Sequence, residues 1–198
     1  MPEHPLPDAG TCLRDGWLLY KQEPLLLSGA TILMGIICGV AGMIPFAGAL
    51  VYPPLLGGLY SMIIRLERGE AITINNLFDG FQVFLPLIIA SFLMSLFIGI
   101  GVFLFILPGL YLLIVYGFTN LMIIDQKMDF WPAMEASRKL IHAHFWSYGL
   151  LALVIAVICV AASIPLGLGL IVAAPVCLAA QYRFYRALNF SEDPSCSE

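Results

Sequence analysis

The sequence predicts an all-α, polytopic membrane protein in which six transmembrane helices form three helical hairpins, each preceded by a cytoplasmic interfacial amphipathic helix. Two observations predict this fold. Of the 198 residues, 61% are hydrophobic and only 11% are charged, whereas about a quarter of the residues in a soluble domain are charged. Three stretches without any charge are each longer than the about 20 residues that cross a bilayer. These features exclude a soluble enzyme, a nucleic-acid-binding protein and a disordered chain.

Prolines and glycines divide the uncharged stretches into spans. The stretches and their dividing residues are Leu25–Ile64 at Pro45 and Gly48, Gln82–Ile124 at Pro108-Gly109, and Phe145–Tyr182 at Pro165. The predicted spans are Leu25–Ile44, Gly48–Ile64, Leu85–Leu107, Leu110–Ile124, Phe145–Ile164 and Leu166–Gln181. A kink is expected in the second span at Pro53-Pro54. The last span is weakly apolar and is expected to insert together with the fifth, so four crossings with re-entrant short segments are the alternative to six.

The nine basic residues predict the orientation of the chain. All of them precede the first span, follow the last, or lie in the second or fourth connection, and the other three connections carry no charge. Because Lys and Arg residues near the spans remain in the cytoplasm, both termini are predicted to be cytoplasmic, in a bacterial inner membrane.

Six of these basic residues are candidate contacts for lipid headgroups. They are Arg65, Arg68, Arg138, Lys139, Arg183 and Arg186. Each would contribute about 1 kcal/mol of attraction to an anionic leaflet. Ordinary topological charge is the alternative interpretation.

A threefold internal repeat is predicted within a single integral membrane domain, residues 1–190. Short turns with Pro followed by Gly recur in the three connections without charge. The segment Leu13–Trp17 matches Leu77–Phe81 at an offset of 64 residues, whereas the third copy, around Ser137–Leu140, has diverged. The predicted repeat units are about residues 9–64, 71–124 and 129–186, followed by a flexible polar C-terminal tail over 191–198.

Each repeat is predicted to begin with an amphipathic helix at the membrane interface, because a polar stripe faces a side rich in Leu and aromatic residues. In the second copy the polar stripe comprises Asn75, Asn76, Asp79 and Gln82. In the third copy Asp129 is placed to cap the helix, and Pro132 falls in the first turn, where proline is tolerated.

Two further sets of residues inside the spans are candidate sites. Ser91, Ser95, Tyr116 and Asn120 are the candidates for an intramembrane polar groove, with ordinary interhelical hydrogen bonding as the alternative. Gly35, Gly39 and Gly42 follow a small-residue pattern that is expected to let two helices of the chain approach closely, with a homodimer seam as the alternative.

The sequence favours a protein that is not an enzyme. It contains no nucleophile elbow, zinc-protease motif or phosphate-binding loop, and the Cys residues lack metal-binding spacing, so no cofactor or metal is expected. The predicted function is a lipid-interacting or scaffolding membrane protein, and the alternative is a small transporter, channel or lipid-translocating protein. The expected partners are membrane lipids, with a second copy of the chain or a membrane partner protein as alternatives, and no nucleic acid.

Four segments together resemble a group of uncharacterised bacterial inner-membrane proteins. They are Gly16-Trp17, the stretch from Arg65 to Phe81, Leu107–Tyr111 and Phe130–Arg138. The pattern is also similar to the membrane domain fused to some glycerophosphodiester phosphodiesterases. The resemblance implies a six-helix integral membrane domain without an established activity, and the phosphodiesterase activity does not carry over, since its catalytic domain is not part of this sequence.

Overall fold

The computed structural model describes residues 9–44, 47–104, 106–164 and 169–192, which form helices and short connections without a β-strand among them. The helices are α1 (Ala9–Tyr20), α2 (Pro24–Gly42), α3 (Ala47–Glu67), a 3-10 helix (Ile74–Val83), α4 (Phe84–Leu104), α5 (Ile106–Val115), α6 (Thr119–Gln126), α7 (Phe130–Ala143), α8 (Phe145–Ser163) and α9 (Leu170–Glu192). The prediction of an all-α protein is confirmed for the described part of the chain.

Five helical segments in the described residues are long and apolar enough to cross a membrane. They are Pro24–Gly42, Ala47–Glu67, Ile74–Leu104, Pro108–Gln126 and Phe145–Ser163. The chain is therefore a helical protein with the character of a membrane protein. The sixth predicted span corresponds to α9, which is not among the five and carries Arg183 and Arg186 in its second half.

The prolines of the spans lie inside helices in two places. Helix α3 continues through Pro53-Pro54, and the kink expected there stays a prediction. Helix α5 begins at Ile106, so Pro108-Gly109 lies in its first turn and does not form the predicted break. Proline is accommodated there because the first backbone N–H groups of a helix have no partner inside the helix.

Some predicted features fall outside the described residues. These are Pro45 and Phe46 of the first turn, Pro165, Leu166 and Gly167 of the third, and Cys196 with the rest of the tail from residue 193 onward. Helix α9 itself continues to Glu192, past the predicted start of the tail at residue 191.

The fourth predicted span, Leu110–Ile124, lies within the segment Pro108–Gln126 that could cross a membrane, and its helix is interrupted near the middle. Helix α5 ends at Val115 and α6 begins at Thr119. The buried Ser137 side chain stabilises the break, since its Oγ donates to the Val115 carbonyl (2.8 Å) and accepts from the Phe118 N–H (3.2 Å). A helix within such an apolar segment can be interrupted because side chains of neighbouring helices form hydrogen bonds with the freed backbone groups.

The three lead-in helices (α1, the 3-10 helix and α7) each pack against a helix from another of the predicted repeats. A Cβ atom on Gly16 of α1 would lie 2.7 Å from the Ala180 nitrogen and 2.9 Å from the Val176 oxygen of α9. A Cβ atom on Gly80 of the 3-10 helix would overlap the Pro54 carbonyl of α3. These two contacts need a residue without a Cβ, because backbone meets backbone.

The same contact recurs at equivalent positions around the bundle. Ser137 of α7 donates a hydrogen bond to the Val115 carbonyl. The residues that contact the three lead-in helices are spaced 61 apart in the sequence: Pro54, Val115 and Val176. Because α1 packs on α9, the first predicted repeat contacts the last, as the 3-10 helix contacts α3 and α7 contacts α6.

The tightly packed core lies among the lead-in helices and the second helix of each repeat. It includes Tyr60, Met62, Leu121, Tyr182 and Tyr185, all buried. Helices α2, α4 and α8 reach this core mainly through pairs near their first turns: Leu27 and Ala30, Leu87 and Ala90, Tyr148 and Leu151. Their remaining surfaces expose large apolar side chains, as expected for helices that face lipid.

Candidate functional site

A buried polar network links several helices of the bundle. The Tyr60 hydroxyl donates to Gln181 Oε1 (2.6 Å), and Gln181 Nε2 donates to the Tyr148 hydroxyl (2.6 Å) and to the Gly117 carbonyl (3.1 Å). Both tyrosines are buried, at 3% and 2% exposure. The network therefore gives polar groups of α3, α8, α9 and the α5–α6 break a hydrogen-bond partner within the protein.

A large apolar cavity of about 680 Å³ lies beside the network, between α2, α3, α8 and α9. Its polar or thiol-bearing lining residues are Thr31, Cys38, Tyr52, Cys159, Cys177 and Gln181. None of the described residues that line it carries a charge, and the rest are mainly aliphatic. Such a lining suits an uncharged apolar occupant.

The cavity reaches the outer surface of the bundle. Ile32, Ile36 and Tyr52 line it and are 44%, 59% and 50% exposed. These residues lie on α2 and α3, two of the helices that are apolar enough to cross a membrane. Access to the cavity is therefore from the side that would face lipid.

Ion pairs gather at one end of the bundle, which we call the charged end. The pairs are Arg65–Glu70 (3.3 Å), Arg65–Asp79 (3.3 Å), Arg68–Asp125 (3.0 Å), Arg183–Glu67 (3.4 Å) and Arg186–Glu67 (3.4 Å). Four arginines are thus balanced by four carboxylates from segments far apart in the sequence. Five of the six candidate headgroup contacts form an ion pair within the chain, because Lys139 also pairs with Glu135 (2.8 Å).

The sixth candidate, Arg138, lines a separate crevice of about 270 Å³ together with Phe97, Tyr116, Trp131, Met134 and Glu135. The hydrogen bond and the charge of Lys139, together with the charge of Arg138, lower the pKa of the Glu135 carboxyl below its usual range. Glu135 therefore faces two cations at the edge of the crevice.

No family model matches the chain, and no solved structure matches it. The resemblance to the six-helix bacterial proteins stays a prediction.

The four residues of the predicted polar groove do not line one described cavity. Tyr116 lines the crevice with Arg138, whereas Ser95 is exposed and Ser91 is partly buried. Asn120 Oδ1 is buried without a hydrogen-bond partner among the described residues. The groove stays a prediction, and only Tyr116 lies at a cavity that the structure describes.

The close helix approach predicted at the glycines of α2 stays a prediction, and the backbone of Gly42 lies near α3, with its Cα 3.6 Å from the position of a Cβ atom on Gly48. A Cβ atom on Gly35, Gly39 or Gly42 would meet no other atom within 4 Å, and all three residues are exposed. Gly35 instead lines the apolar cavity. Close backbone contacts are made at Gly16, Gly58 and Gly80, where the lead-in helices pack.

Gln181 is the site residue that the sequence left unassigned. It was placed only as the last residue of a span, although a glutamine after an uninterrupted apolar run is a signal for a buried hydrogen-bonding role. Its partners Tyr60 and Tyr148 lie 121 and 33 residues away, so spacing alone could not reveal them.

Proposed function

We propose that this protein is a non-enzymatic integral membrane protein that binds the hydrocarbon part of a membrane lipid in the cavity between α2, α3, α8 and α9. The observation that carries the proposal is the cavity of about 680 Å³, which lacks a charged lining residue among those described and is reached from the apolar surface. Small-molecule sites in proteins have volumes of about 300–1,000 Å³ and are mostly apolar.

The proposal includes six transmembrane helices in three hairpins, with both termini on the cytoplasmic side of a bacterial inner membrane. Helix α9 supplies the sixth span, with Arg183 and Arg186 reaching the charged end. The three tryptophans of the chain support this placement, because Trp17, Trp131 and Trp146 are exposed and lie in or beside lead-in helices. Tryptophan is enriched where membrane meets water.

A pair of variants in α2 tests the cavity. Gly35→Phe adds a ring to a cavity-lining position, whereas Gly39→Phe adds the same ring one turn away at a position that is not among the cavity-lining residues. We expect Gly35→Phe to lower the amount of lipid that copurifies in mild detergent by about tenfold, as measured by native mass spectrometry. A loss of about 1.4 kcal/mol in the binding free energy of the lipid acyl chain has that effect. Gly39→Phe should retain wild-type lipid. Equal lipid content in both variants would contradict the proposal.

Lipid translocation is the second candidate, and the interrupted α5–α6 span favours it. Discontinuous helices line the transport sites of several membrane proteins. The other two predicted repeats have a proline at the equivalent position, since Pro53 of α3 and Pro175 of α9 are each 61 residues from Ile114, which lies beside the break. Purified protein in vesicles with fluorescent phospholipids in both leaflets would decide. Loss of about half of the fluorescence to an impermeant quencher indicates binding alone, and nearly complete loss indicates translocation.

A further inference from the structure

We propose that the crevice between α4, α7 and the α5–α6 break binds the phosphate of a membrane phospholipid headgroup, with Arg138 as its anion ligand. The site is separate from the apolar cavity and extends the proposed lipid binding to a second position.

Three hydrogen-bond donors line the crevice without an acceptor among the described residues. They are the Tyr116 hydroxyl, the indole N–H of Trp131 and the guanidinium of Arg138. A group rich in acceptor oxygens would satisfy all three, and a guanidinium binds phosphate through paired N–H donors.

The charge around the crevice favours an anion. Arg138 forms no ion pair among the described residues, in contrast to the other five candidate contacts, each of which is held by a carboxylate. The one acidic residue among the described lining residues, Glu135, is paired with Lys139 at 2.8 Å. Two cations, Arg138 and Lys139, thus face the single carboxylate of Glu135, which leaves a net positive charge at this site.

The surroundings identify the source of the phosphate as a lipid. Phe97, which also lines the crevice, lies on a segment that is long and apolar enough to cross a membrane. Trp131 is 57% exposed at the rim, as is typical of tryptophan at headgroup level. A headgroup in the crevice would leave its acyl chains along α4.

A matched pair of arginine variants tests the site. Arg138→Gln removes the ligand, and Arg14→Gln removes an exposed arginine from lead-in helix α1 that is not among the residues lining a described cavity. Each protein is reconstituted in nanodiscs that contain equal amounts of phosphatidylglycerol and phosphatidylcholine, and the lipid retained after extraction is measured by native mass spectrometry. The wild-type protein and Arg14→Gln should prefer phosphatidylglycerol, and Arg138→Gln should lose about fivefold of that preference.

A fluorescence measurement places the lipid at the crevice. With Trp17 and Trp146 replaced by Phe, Trp131 is the remaining tryptophan, and brominated phosphatidylglycerol should quench it more strongly than brominated phosphatidylcholine. The proposal would be overturned if the two brominated lipids quenched Trp131 equally, or if Arg138→Gln and Arg14→Gln lost the preference for phosphatidylglycerol equally. Displacement of the lipid by millimolar inorganic phosphate would also overturn it. If Gly35→Phe loses lipid but keeps the headgroup preference, the two sites are separate. If Gly35→Phe keeps its lipid, the cavity proposal fails, but the headgroup preference of Arg138→Gln still tests the crevice.

Discussion

Glycine at two positions allows the 3-10 helix to lie directly on α3. A Cβ atom on Gly58 would overlap the Leu77 carbonyl, and one on Gly80 would overlap the Pro54 carbonyl. The neighbouring atoms are backbone and cannot rotate away, unlike the end of a flexible side chain. The two glycines therefore set the distance between the second repeat and the first.

We expect Gly80→Ala to lower the free energy of unfolding by about 2–3 kcal/mol, because one methyl group forces two backbones apart. Gly39→Ala is the matched control, since its Cβ meets no atom within 4 Å. Alanine is the better helix former by about 0.5–1 kcal/mol, so Gly39→Ala should leave stability unchanged or raise it. Thermal unfolding in detergent gives both values, and equal stability of the two variants would disagree with the described contact.

At the level of elements, Ser137 on α7 holds the interruption between α5 and α6. Its Oγ is the bonding partner of both the Val115 carbonyl and the Phe118 N–H, and the residue is fully buried. The Gly117 carbonyl is satisfied separately by Gln181. Two distant elements thus stabilise one break in a helix.

Ser137→Ala should destabilise the protein by about 1–3 kcal/mol, because it leaves a buried donor and a buried acceptor without partners. Ser163→Ala removes a hydroxyl that bonds to the carbonyl of its own helix at Val160 and is exposed, so its effect should stay within about 0.5 kcal/mol. Hydrogen exchange adds a local measurement, in which the Phe118 amide should exchange faster in Ser137→Ala alone. Unchanged exchange at Phe118 would mean that the break does not depend on this serine.

The sequence predicted elements better than it predicted their interruptions. Apolar runs and the cap at Asp129, whose Oδ1 accepts from the Phe130 N–H (2.9 Å), are local features that composition and spacing reveal. The α5–α6 break has no proline within it, and it depends on Ser137 and Gln181, which only the fold brings near. Proline positions misled the prediction at Pro108, because a proline in a first helical turn and one in a loop read alike in a sequence.

The candidate site was predicted less well than the fold. Basic residues near the spans were treated alike, yet their carboxylate partners lie up to 119 residues away, as in Arg186 with Glu67. The apolar cavity is lined by residues of four helices, and no motif marks it. Tyr116 and Arg138 were predicted for different sites, and the structure brings them together in one crevice.

At the level of the whole molecule, the proposed topology puts the charged end in the cytoplasm. A chain without its five native cysteines and with a single new cysteine tests this. Glu70→Cys and Lys127→Cys lie at exposed positions near the charged end, and Met43→Cys lies at the opposite end, where Met43 is 84% exposed.

An impermeant maleimide should label Glu70→Cys and Lys127→Cys in inverted vesicles, and Met43→Cys in intact spheroplasts. The reason is that Lys and Arg are retained on the cytoplasmic side during insertion. Labelling of positions 70 and 127 from opposite sides would contradict the proposed topology, whichever lipid the protein binds.

The contact between α1 and α9 has a consequence for biosynthesis. Gly16 leaves the ribosome long before its partners Val176 and Ala180 exist. At about 5–20 residues per second, synthesis of the intervening chain takes roughly 8–30 s. During that interval the buried side of α1, which includes Leu19 and Tyr20, has no docking surface on α9, so the nascent protein needs lipid or a chaperone to shield this segment until the final helix is inserted.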